Sequence, residues 1–236
     1  MPTPSDLQPD PPPGPEGPGP VGVIDVVLFD LGNVVFNVDF QRVFAHWSAS
    51  SGVPAATIGP AFVADKDANR HFEVGAWTPE AFHRHCNARL ALGIAQDSFE
   101  AGWNNIFGPA TPGIDHLLDA LAPRARLAVF SKTYPLHERA FSRIYAGTLA
   151  RFSRIYTSHV LARAKPDPAA FTAVASDLGV APGRILFFDD TVANIAGARS
   201  AGLHACHWRG LSDGVRAAHA HGLLTAAESE SLLAVG

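Results

Sequence analysis

The 236-residue sequence has few of the features that mark membrane, nucleic-acid-binding or disulfide-rich proteins. Its two cysteines, Cys86 and Cys206, lie far apart, so we expect no disulfide framework and a reducing, cytoplasmic location. No apolar run approaches the ~20 residues that cross a bilayer, and no charged start with an apolar core marks a signal peptide. Lysine-rich and arginine-rich runs are also missing, which argues against a nucleic-acid partner.

The first 20 residues have hardly any apolar side chains and consist mostly of proline, glycine and polar residues. Such a segment cannot bury enough surface to offset the entropy lost on ordering, so we expect a disordered tail over residues 1–20. A proline-rich ligand for a partner domain is the alternative. The whole chain is 47% hydrophobic and 17% charged, which is typical of a globular protein.

Short apolar runs that end in polar residues are the main structural signal. The runs at 26–29, 127–130 and 185–188 are rich in Val, Ile, Leu and Phe, and helical patterns separate them. Runs of this kind indicate buried parallel strands, and strand–helix alternation predicts an α/β fold with right-handed crossovers. The polar residues that end the runs are Asp30, Ser131 and the pair Asp189 and Asp190.

No convincing strand occurs between residues 38 and 107. Asp39 is suited to cap one helix, and further helical stretches open at Pro54, Thr78 and Gln96. We therefore expect a helical insert after the first strand. After the insert, Thr111 and Pro112 predict a helix restart, with threonine as the cap and proline at the first helical position.

The carboxylates at the strand ends suggest phosphoryl-transfer chemistry. Ligands of open α/β sheets bind beyond the carboxyl ends of the strands, where Asp30 can act as a nucleophile. Asp189 and Asp190 repel each other unless a cation lies nearby, and Mg²⁺ prefers one or two carboxylates plus water and phosphate oxygens. Taken alone, an aspartate such as Asp30 is more often an ordinary turn residue.

Three further side chains complete this pattern. Lys165 is a positive charge suited to hold a transferring phosphate beside Asp30. Ser131 is suited to donate a hydrogen bond to a phosphate oxygen, and Asn194 is suited to support the metal-binding carboxylates. Each alone is weak evidence, and the order and spacing of the set carry the prediction.

The chain resembles the haloacid dehalogenase superfamily of phosphotransferases over about residues 22–210. The resemblance is carried by Phe29-Asp30-Leu31-Gly32-Asn33-Val34, Val129-Phe130-Ser131, Ala164-Lys165-Pro166-Asp167-Pro168 and Phe188-Asp189-Asp190-Thr191-Val192-Ala193-Asn194. It implies a Rossmann-like core, expected at 21–37 and 109–236, with a helical cap inserted at 38–108. Further segments around Val38 and at 72–82 look like a bacterial sugar-phosphatase subgroup, similar to α-D-glucose-1-phosphate phosphatases.

The resemblance also implies residue roles. Asp30 would be the nucleophile, with Ser131 and Lys165 as phosphate binders. Asp190 would be a direct Mg²⁺ ligand, with Asp189 beside it and Asp30 also contributing. The backbone carbonyl of Gly32 would be a further ligand.

Two departures from the family pattern affect the chemistry. Many members have a second aspartate two residues after the nucleophile as the acid for the leaving group, and here that position is Gly32. The proton donor is then water or a cap residue, and the cap holds His46, His71, His83 and His85, any of which could face the cleft and donate a proton because histidine titrates near neutral pH. Glu73 is our first candidate, and we expect it in a loop that faces the substrate. Lys132 replaces a usual asparagine and adds a cation beside the phosphate.

The leading hypothesis is a Mg²⁺-dependent phosphatase of a small phosphorylated metabolite, expected to be a sugar phosphate, that works through an aspartyl phosphate. One alternative is a 2-haloacid dehalogenase, in which Asp30 attacks carbon. That chemistry needs no metal, so Asp189 and Asp190 argue against it. The other is a non-catalytic binding protein on the same fold, motivated by Gly32 and Lys132.

Overall fold

A five-stranded parallel sheet forms the core of the protein in the computed structural model, which describes residues 23–234. The strand order is β5-β4-β1-β6-β7. A separate antiparallel pair, β2 and β3, flanks the helical insert. The strands are β1 (Val26–Phe29), β2 (Phe36–Val38), β3 (Phe107–Ala110), β4 (Arg126–Ser131), β5 (Arg154–Thr157), β6 (Ile185–Asp189) and β7 (His204–His207).

Strand β1 is the centre of the sheet and is fully buried. It pairs in parallel with β4 on one side and β6 on the other, so that Phe29 is in register with both Val129 and Phe188. Successive side chains of a strand point to opposite faces of the sheet. Accordingly, Val27 and Phe29 belong to one hydrophobic cluster, whereas Val26 and Leu28 belong to another.

Helices cover both faces of this sheet, which explains why its strands are apolar on both sides. The face of Phe29 packs against α6 (Ile114–Leu121), α7 (Pro135–Ile144), α12 (Leu211–Ala220) and α13 (Ala226–Leu233). The opposite face packs against α10 (Pro168–Leu178) and α11 (Val192–Ser200). The short helices α8 (Ala146–Leu149) and α9 (Ser158–Leu161) and a 3₁₀ turn, Pro182–Arg184, complete the core.

The insert consists of five helices between β2 and β3, and its core is aromatic. Asp39 caps the first of them by accepting a hydrogen bond from the Gln41 backbone N–H at 2.8 Å, and Gly52 ends it with a φ of 78°. The buried interior includes Trp47, Phe82 and Trp103. The helices are α1 (Phe40–Ser51), α2 (Ala55–Ala64), α3 (Lys66–Glu73), α4 (Pro79–Leu90) and α5 (Gln96–Asn104).

The fold class expected from the sequence is confirmed: α/β, with a parallel sheet and a helical insert after the first strand. The proposed boundaries of core and cap stay a prediction, and the predicted disordered tail at 1–20 lies outside the described residues. No helix within residues 23–234 is long and apolar enough to cross a membrane.

Two local predictions were wrong. The helix expected from Thr111 and Pro112 begins only at Ile114. Gly113 has a φ of 75°, which is not helical, so it is the cap residue, and the buried Thr111 hydroxyl caps nothing because it has no hydrogen-bond partner. Glu73 does not lie in a loop but is the last residue of α3, because the helical hydrogen bonding continues as far as the Val74 N–H.

Candidate active site

The candidate site lies at the carboxyl ends of β1, β4 and β6, where parallel α/β sheets bind ligands. Asp30 directly follows β1, Ser131 ends β4, and Asp189 ends β6 with Asp190 next in the chain. Lys165 reaches the same point from the loop between α9 and α10. The four segments that the sequence singled out therefore converge on one place.

Lys165 forms ion pairs with two carboxylates at the centre of the site. Its Nζ lies 2.8 Å from Asp30 Oδ1 and donates a hydrogen bond to Asp189 Oδ2 at 2.6 Å, and its side chain is fully buried. The rings of Phe130 and Phe187 lie 5.6 Å and 5.3 Å from Nζ. Burial acts to lower the pKa of Lys165, but the two carboxylates outweigh it and leave that pKa raised. The ammonium is therefore charged at neutral pH.

Both carboxylate oxygens of Asp189 are hydrogen-bonded to the protein. Its Oδ1 accepts hydrogen bonds from the Thr191 N–H at 2.8 Å and from Asn194 at 2.9 Å. Its Oδ2 accepts from Lys165 and, at 3.0 Å, from Asn194. With none of its surface exposed, Asp189 lies behind the site and positions Lys165 and Asn194.

Asp190 and Asp30 are the two carboxylates of the cluster around Lys165 that face the cleft. Asn33 donates to Asp190 Oδ2 and the Thr191 hydroxyl donates to Oδ1, both at 3.2 Å, so the side chain is held in place. Burial raises the pKa of Asp30 to about 6, with Lys165 acting to lower it and Asp189 to raise it.

The donor set fits a divalent cation. One carboxylate oxygen from each of Asp30, Asp189 and Asp190 lies within 4.8 Å of the others. When all three are ionised, Lys165 neutralises only one of the negative charges, so the cluster is short of two positive charges. Carboxylate oxygens are the ligands that Mg²⁺ prefers. Asp30, Asp189 and Asp190 are the carboxylates that could hold it, and Gly32, whose carbonyl the sequence predicts as a further ligand, lines the same cleft.

The position of Gly32 leaves little space for a side chain. A Cβ atom there would lie 3.2 Å from Val38 Cγ2, so an aspartate at this position would force Val38 to move. The chain thus lacks the second acid of the family pattern and also packs β2 close to the place where that acid would stand.

The site opens into a cleft of about 530 Å³ between the sheet and the helical insert. Its core end is polar and carries Asp30, Asp190 and Lys165 together with Ser131 and Asn194. Its cap end is formed by the insert. All the site residues predicted from the sequence line this cleft except Asp189, which lies behind it.

Glu73 reaches the cleft from the cap and Lys132 from the core. Their side chains approach to 3.8 Å, and Glu73 also forms an ion pair with Arg70 at 3.2 Å. Burial raises the pKa of the Glu73 carboxyl above its ordinary value, although Lys132 and Arg70 act to lower it. Ser158 donates a hydrogen bond to the Glu73 carbonyl at 2.8 Å, which ties the end of α3 to the core.

Two residues of the polar end were not found from the sequence. Asn33 holds Asp190 from the turn after Gly32 and has a φ of 56°, a conformation in which asparagine is enriched. Thr191 binds both Asp189 and Asp190. The signal for Asn33 was the Gly-Asn turn itself, whereas nothing in the sequence distinguished Thr191 from an ordinary helix cap.

His137, on α7, is the histidine of the cleft, and it too was missed. It is buried, its Nε2 contacts the Trp103 carbonyl at 2.9 Å, and its ring stacks on Trp103 at 4.6 Å. Burial lowers the pKa of His137 to about 4, so the ring is neutral.

Comparison with known proteins places this geometry in a family. A sequence model of haloacid dehalogenase-like hydrolases matches residues 24–202. A phosphatase of Mycobacterium tuberculosis is 45% identical over 51 residues, which are 22% of this chain and 24% of that protein. The chain spans less than a third of the length of the curated relatives it matches.

Solved structures share the fold. A HAD family enzyme of Bacteroides thetaiotaomicron, in complex with magnesium and inorganic phosphate, is 23% identical, with a TM-score of 0.65 over 80% of this chain and 96% of that one. The L-2-haloacid dehalogenase of Xanthobacter autotrophicus with covalently bound chloropropionic acid is 18% identical, with a TM-score of 0.59 over 89% and 88% of the two chains. At these identities the likeness concerns the fold alone.

The family match covers most of the chain and includes every segment that forms the site. The chain belongs to the haloacid dehalogenase-like hydrolase family.

Proposed function

We propose that the protein is a Mg²⁺-dependent phosphatase of small phosphomonoesters. The observation that carries this proposal is the cluster of Asp30, Asp189 and Asp190 around Lys165, which is short of two positive charges and opens into a cleft. A hydrolase that attacks carbon has no need of such a cluster, whereas phosphoryl transfer uses a cation to neutralise oxygen charges.

Asp30 is the nucleophile in this proposal. Its carboxylate attacks phosphorus in line with the leaving oxygen, the P–O bond to the alcohol breaks, and an aspartyl phosphate forms. Lys165, fixed by Asp189, neutralises charge on the phosphoryl oxygens, and Ser131 and Lys132 donate to them. Water then attacks phosphorus and releases Asp30 and phosphate. A bound Mg²⁺, held by Asp30, Asp190 and the Gly32 carbonyl, would supply further charge neutralisation.

The proton for the leaving alcohol needs a source other than residue 32. We propose Glu73, which faces the cleft from the cap with a carboxyl whose pKa burial raises. A raised pKa keeps part of this carboxyl protonated at a pH at which an exposed glutamate is ionised. The cap histidines His46, His71, His83 and His85 are not among the residues that line the cleft.

The relatives support this proposal. The Bacteroides enzyme binds magnesium and inorganic phosphate, and the Mycobacterium protein is a phosphatase. The resemblance of the sequence to glucose-1-phosphate phosphatases favours a sugar phosphate as the substrate. The apolar side chains at the cap end of the cleft favour a less polar alcohol.

Two other functions remain as outcomes of the test. The fold shared with the Xanthobacter dehalogenase motivates attack of Asp30 on the carbon of a 2-haloacid. Gly32 and Lys132 motivate a non-catalytic binding protein.

The test measures phosphate release from p-nitrophenyl phosphate, benzyl phosphate and glucose 6-phosphate, with Mg²⁺ and with a chelator. We expect release that needs Mg²⁺ and that Asp30→Asn lowers by roughly 10⁴-fold or more. Asp97→Asn, on the outer helix α5, is the control and keeps full activity. Chloride release from 2-chloropropionate that persists in chelator would establish the dehalogenase instead, and no turnover by folded protein would establish a binding role.

A further inference from the structure

We propose that the cap end of the cleft selects phosphomonoesters whose leaving alcohol is apolar and preferably aromatic, rather than a sugar. This inference rests on the proposed phosphatase activity and specifies its substrate class. It comes from the chemistry of the side chains that line the cleft beyond the polar cluster.

The cap end of the cleft is apolar. Its walls include the side chains of Phe40, Phe44, Phe62, Val63 and Phe107. The ring of Phe40 lies 6.0 Å from that of Phe62 and 6.1 Å from that of Phe44, so the three form a continuous surface. An alcohol that leaves the phosphorus toward the cap meets this surface.

Two of these side chains are exposed where the cleft meets solvent. Phe40 is 36% exposed and Val63 is 63% exposed. A ligand that covers them removes apolar surface from water, which favours binding in proportion to the area covered. The most apolar part of the entrance is therefore also the part that a bound alcohol would contact.

Three of the polar groups at the cap end are engaged with the protein, whereas the side chains of Gln41 and Tyr134, which also line the cleft, form no hydrogen bond within residues 23–234. The Asn69 amide donates to the Phe62 carbonyl at 3.0 Å, and His137 bonds the Trp103 carbonyl. Glu73 is held between Arg70 and Lys132. Apolar side chains therefore outnumber the free hydrogen-bonding partners at this end of the cleft.

A sugar would be a poor ligand for such a surface. Each of its hydroxyls exchanges hydrogen bonds to water for apolar contact, and a buried hydroxyl without a partner opposes binding. A benzyl group makes the opposite exchange and can pack edge-to-face or offset against Phe40 and Phe62. The cleft of about 530 Å³ lies within the usual size of small-molecule sites, so a phosphate with one aromatic ring is of suitable size.

The test compares benzyl phosphate with glucose 6-phosphate. Both are esters of primary alcohols, so their intrinsic reactivities are close and the difference in kcat/KM reports binding of the alcohol. We expect kcat/KM to be roughly tenfold or more higher for benzyl phosphate, as is usual for apolar groups of this size in apolar pockets. Equal values, or a preference for glucose 6-phosphate, would overturn the inference while leaving the phosphatase proposal intact.

Matched variants locate the effect. Val63→Thr keeps the shape of the side chain and adds one hydroxyl, and Phe40→Ser removes a half-exposed ring. Both should lower kcat/KM for benzyl phosphate several-fold, with little change for methyl phosphate. Val160→Thr, at an exposed valine outside the cleft, is the control and should change neither. Equal losses for benzyl and methyl phosphate would contradict a role for these residues in selecting the alcohol.

A binding measurement separates the two proposals. Calorimetry with Mg²⁺ compares benzylphosphonate with methylphosphonate, neither of which can be hydrolysed. We expect benzylphosphonate to bind roughly tenfold more tightly. That preference in a protein that hydrolyses no phosphomonoester would refute the phosphatase proposal alone, and equal binding would refute the apolar selectivity alone.

Discussion

Replacement of Lys165 by methionine tests the electrostatic design of the site. In the wild type, Lys165 Nζ lies 2.8 Å from an oxygen of Asp30 and 2.6 Å from an oxygen of Asp189. Methionine has approximately the same length as lysine, but it leaves both carboxylates without their shared positive charge. Breaking a buried ion pair by removing one partner costs about 3–5 kcal/mol. We expect a loss of this size in the free energy of unfolding at pH 7.5, with chelator present.

The loss should shrink as the pH is lowered. Burial already raises the pKa of Asp30 to about 6, above the ordinary value of 3.8, and removal of Lys165 raises it further. At a pH between 3.8 and the raised pKa of the variant, Asp30 binds a proton in the folded state but not in the unfolded chain. The stability of the variant therefore rises as the pH falls through this range. Protonation of Asp30 thus removes one of the two uncompensated charges.

Urea unfolding at pH 7.5 and pH 5.5 measures both effects. The double variant Lys165→Met with Asp189→Asn should recover roughly half of the loss, because it removes one of the stranded charges. The reasoning would be refuted if Lys165→Met cost less than about 1 kcal/mol at pH 7.5, the value of an exposed ion pair.

Three further predictions concern single side chains. Glu73→Gln should lower kcat for benzyl phosphate at least roughly tenfold, remove the alkaline decline of its pH–rate profile, and spare p-nitrophenyl phosphate, whose leaving group needs no proton. His137 has a pKa near 4 when folded, so at this side chain the unfolded state binds more protons between pH 4 and 6.5. Urea titrations should therefore show that the stability of wild type relative to His137→Gln falls by on the order of 3 kcal/mol as the pH is lowered from 6.5 to 4. Gly197→Ala places a Cβ 2.0 Å from the Pro166 carbonyl oxygen, and should lower Tm and activity together.

Each of these has a clear contrary result. An equal loss on both substrates would make Glu73 a structural residue rather than a proton donor. Parallel pH dependence of stability in wild type and His137→Gln would show that other groups cause the acid destabilisation. An unchanged Tm in Gly197→Ala would mean that the loop carrying Lys165 yields at little cost, and Gly147→Ala, where the Cβ meets open space, is the matched control.

The convergence of Asp30, Ser131 and Asp190 could be predicted from the sequence because it depends only on strand order. Apolar runs identify buried parallel strands, and the carboxyl ends of such strands meet at one edge of the sheet. Which of Asp189 and Asp190 faces the cleft could not be predicted in this way. Adjacent residues at a strand end point in opposite directions, and only the packed structure tells which one meets Asn194 and which one meets the cleft.

The cap residues were harder to place for a related reason. Phe40, Phe62 and Val63 are apolar residues at helical spacing, and such residues are usually buried in a helix–helix interface. Most of the aromatic residues of the insert are indeed buried in its core. Which ones also border the cleft depends on how α1, α2 and α3 are rotated against the sheet, and tertiary packing decides that rotation.

The central position of β1 has a consequence for how the protein is made. Phe29 is in register with Phe188, so about 160 residues must be synthesised after β1 before the strand that closes its second side exists. At 5–20 residues per second this takes roughly 8 to 32 seconds. During that time a fully apolar strand leaves the ribosome without its final neighbour, whereas the insert, whose contacts are local, can already fold. Asp30 is thus made long before Asp189 and Asp190, and the cluster around Lys165 forms only after most of the core has been synthesised.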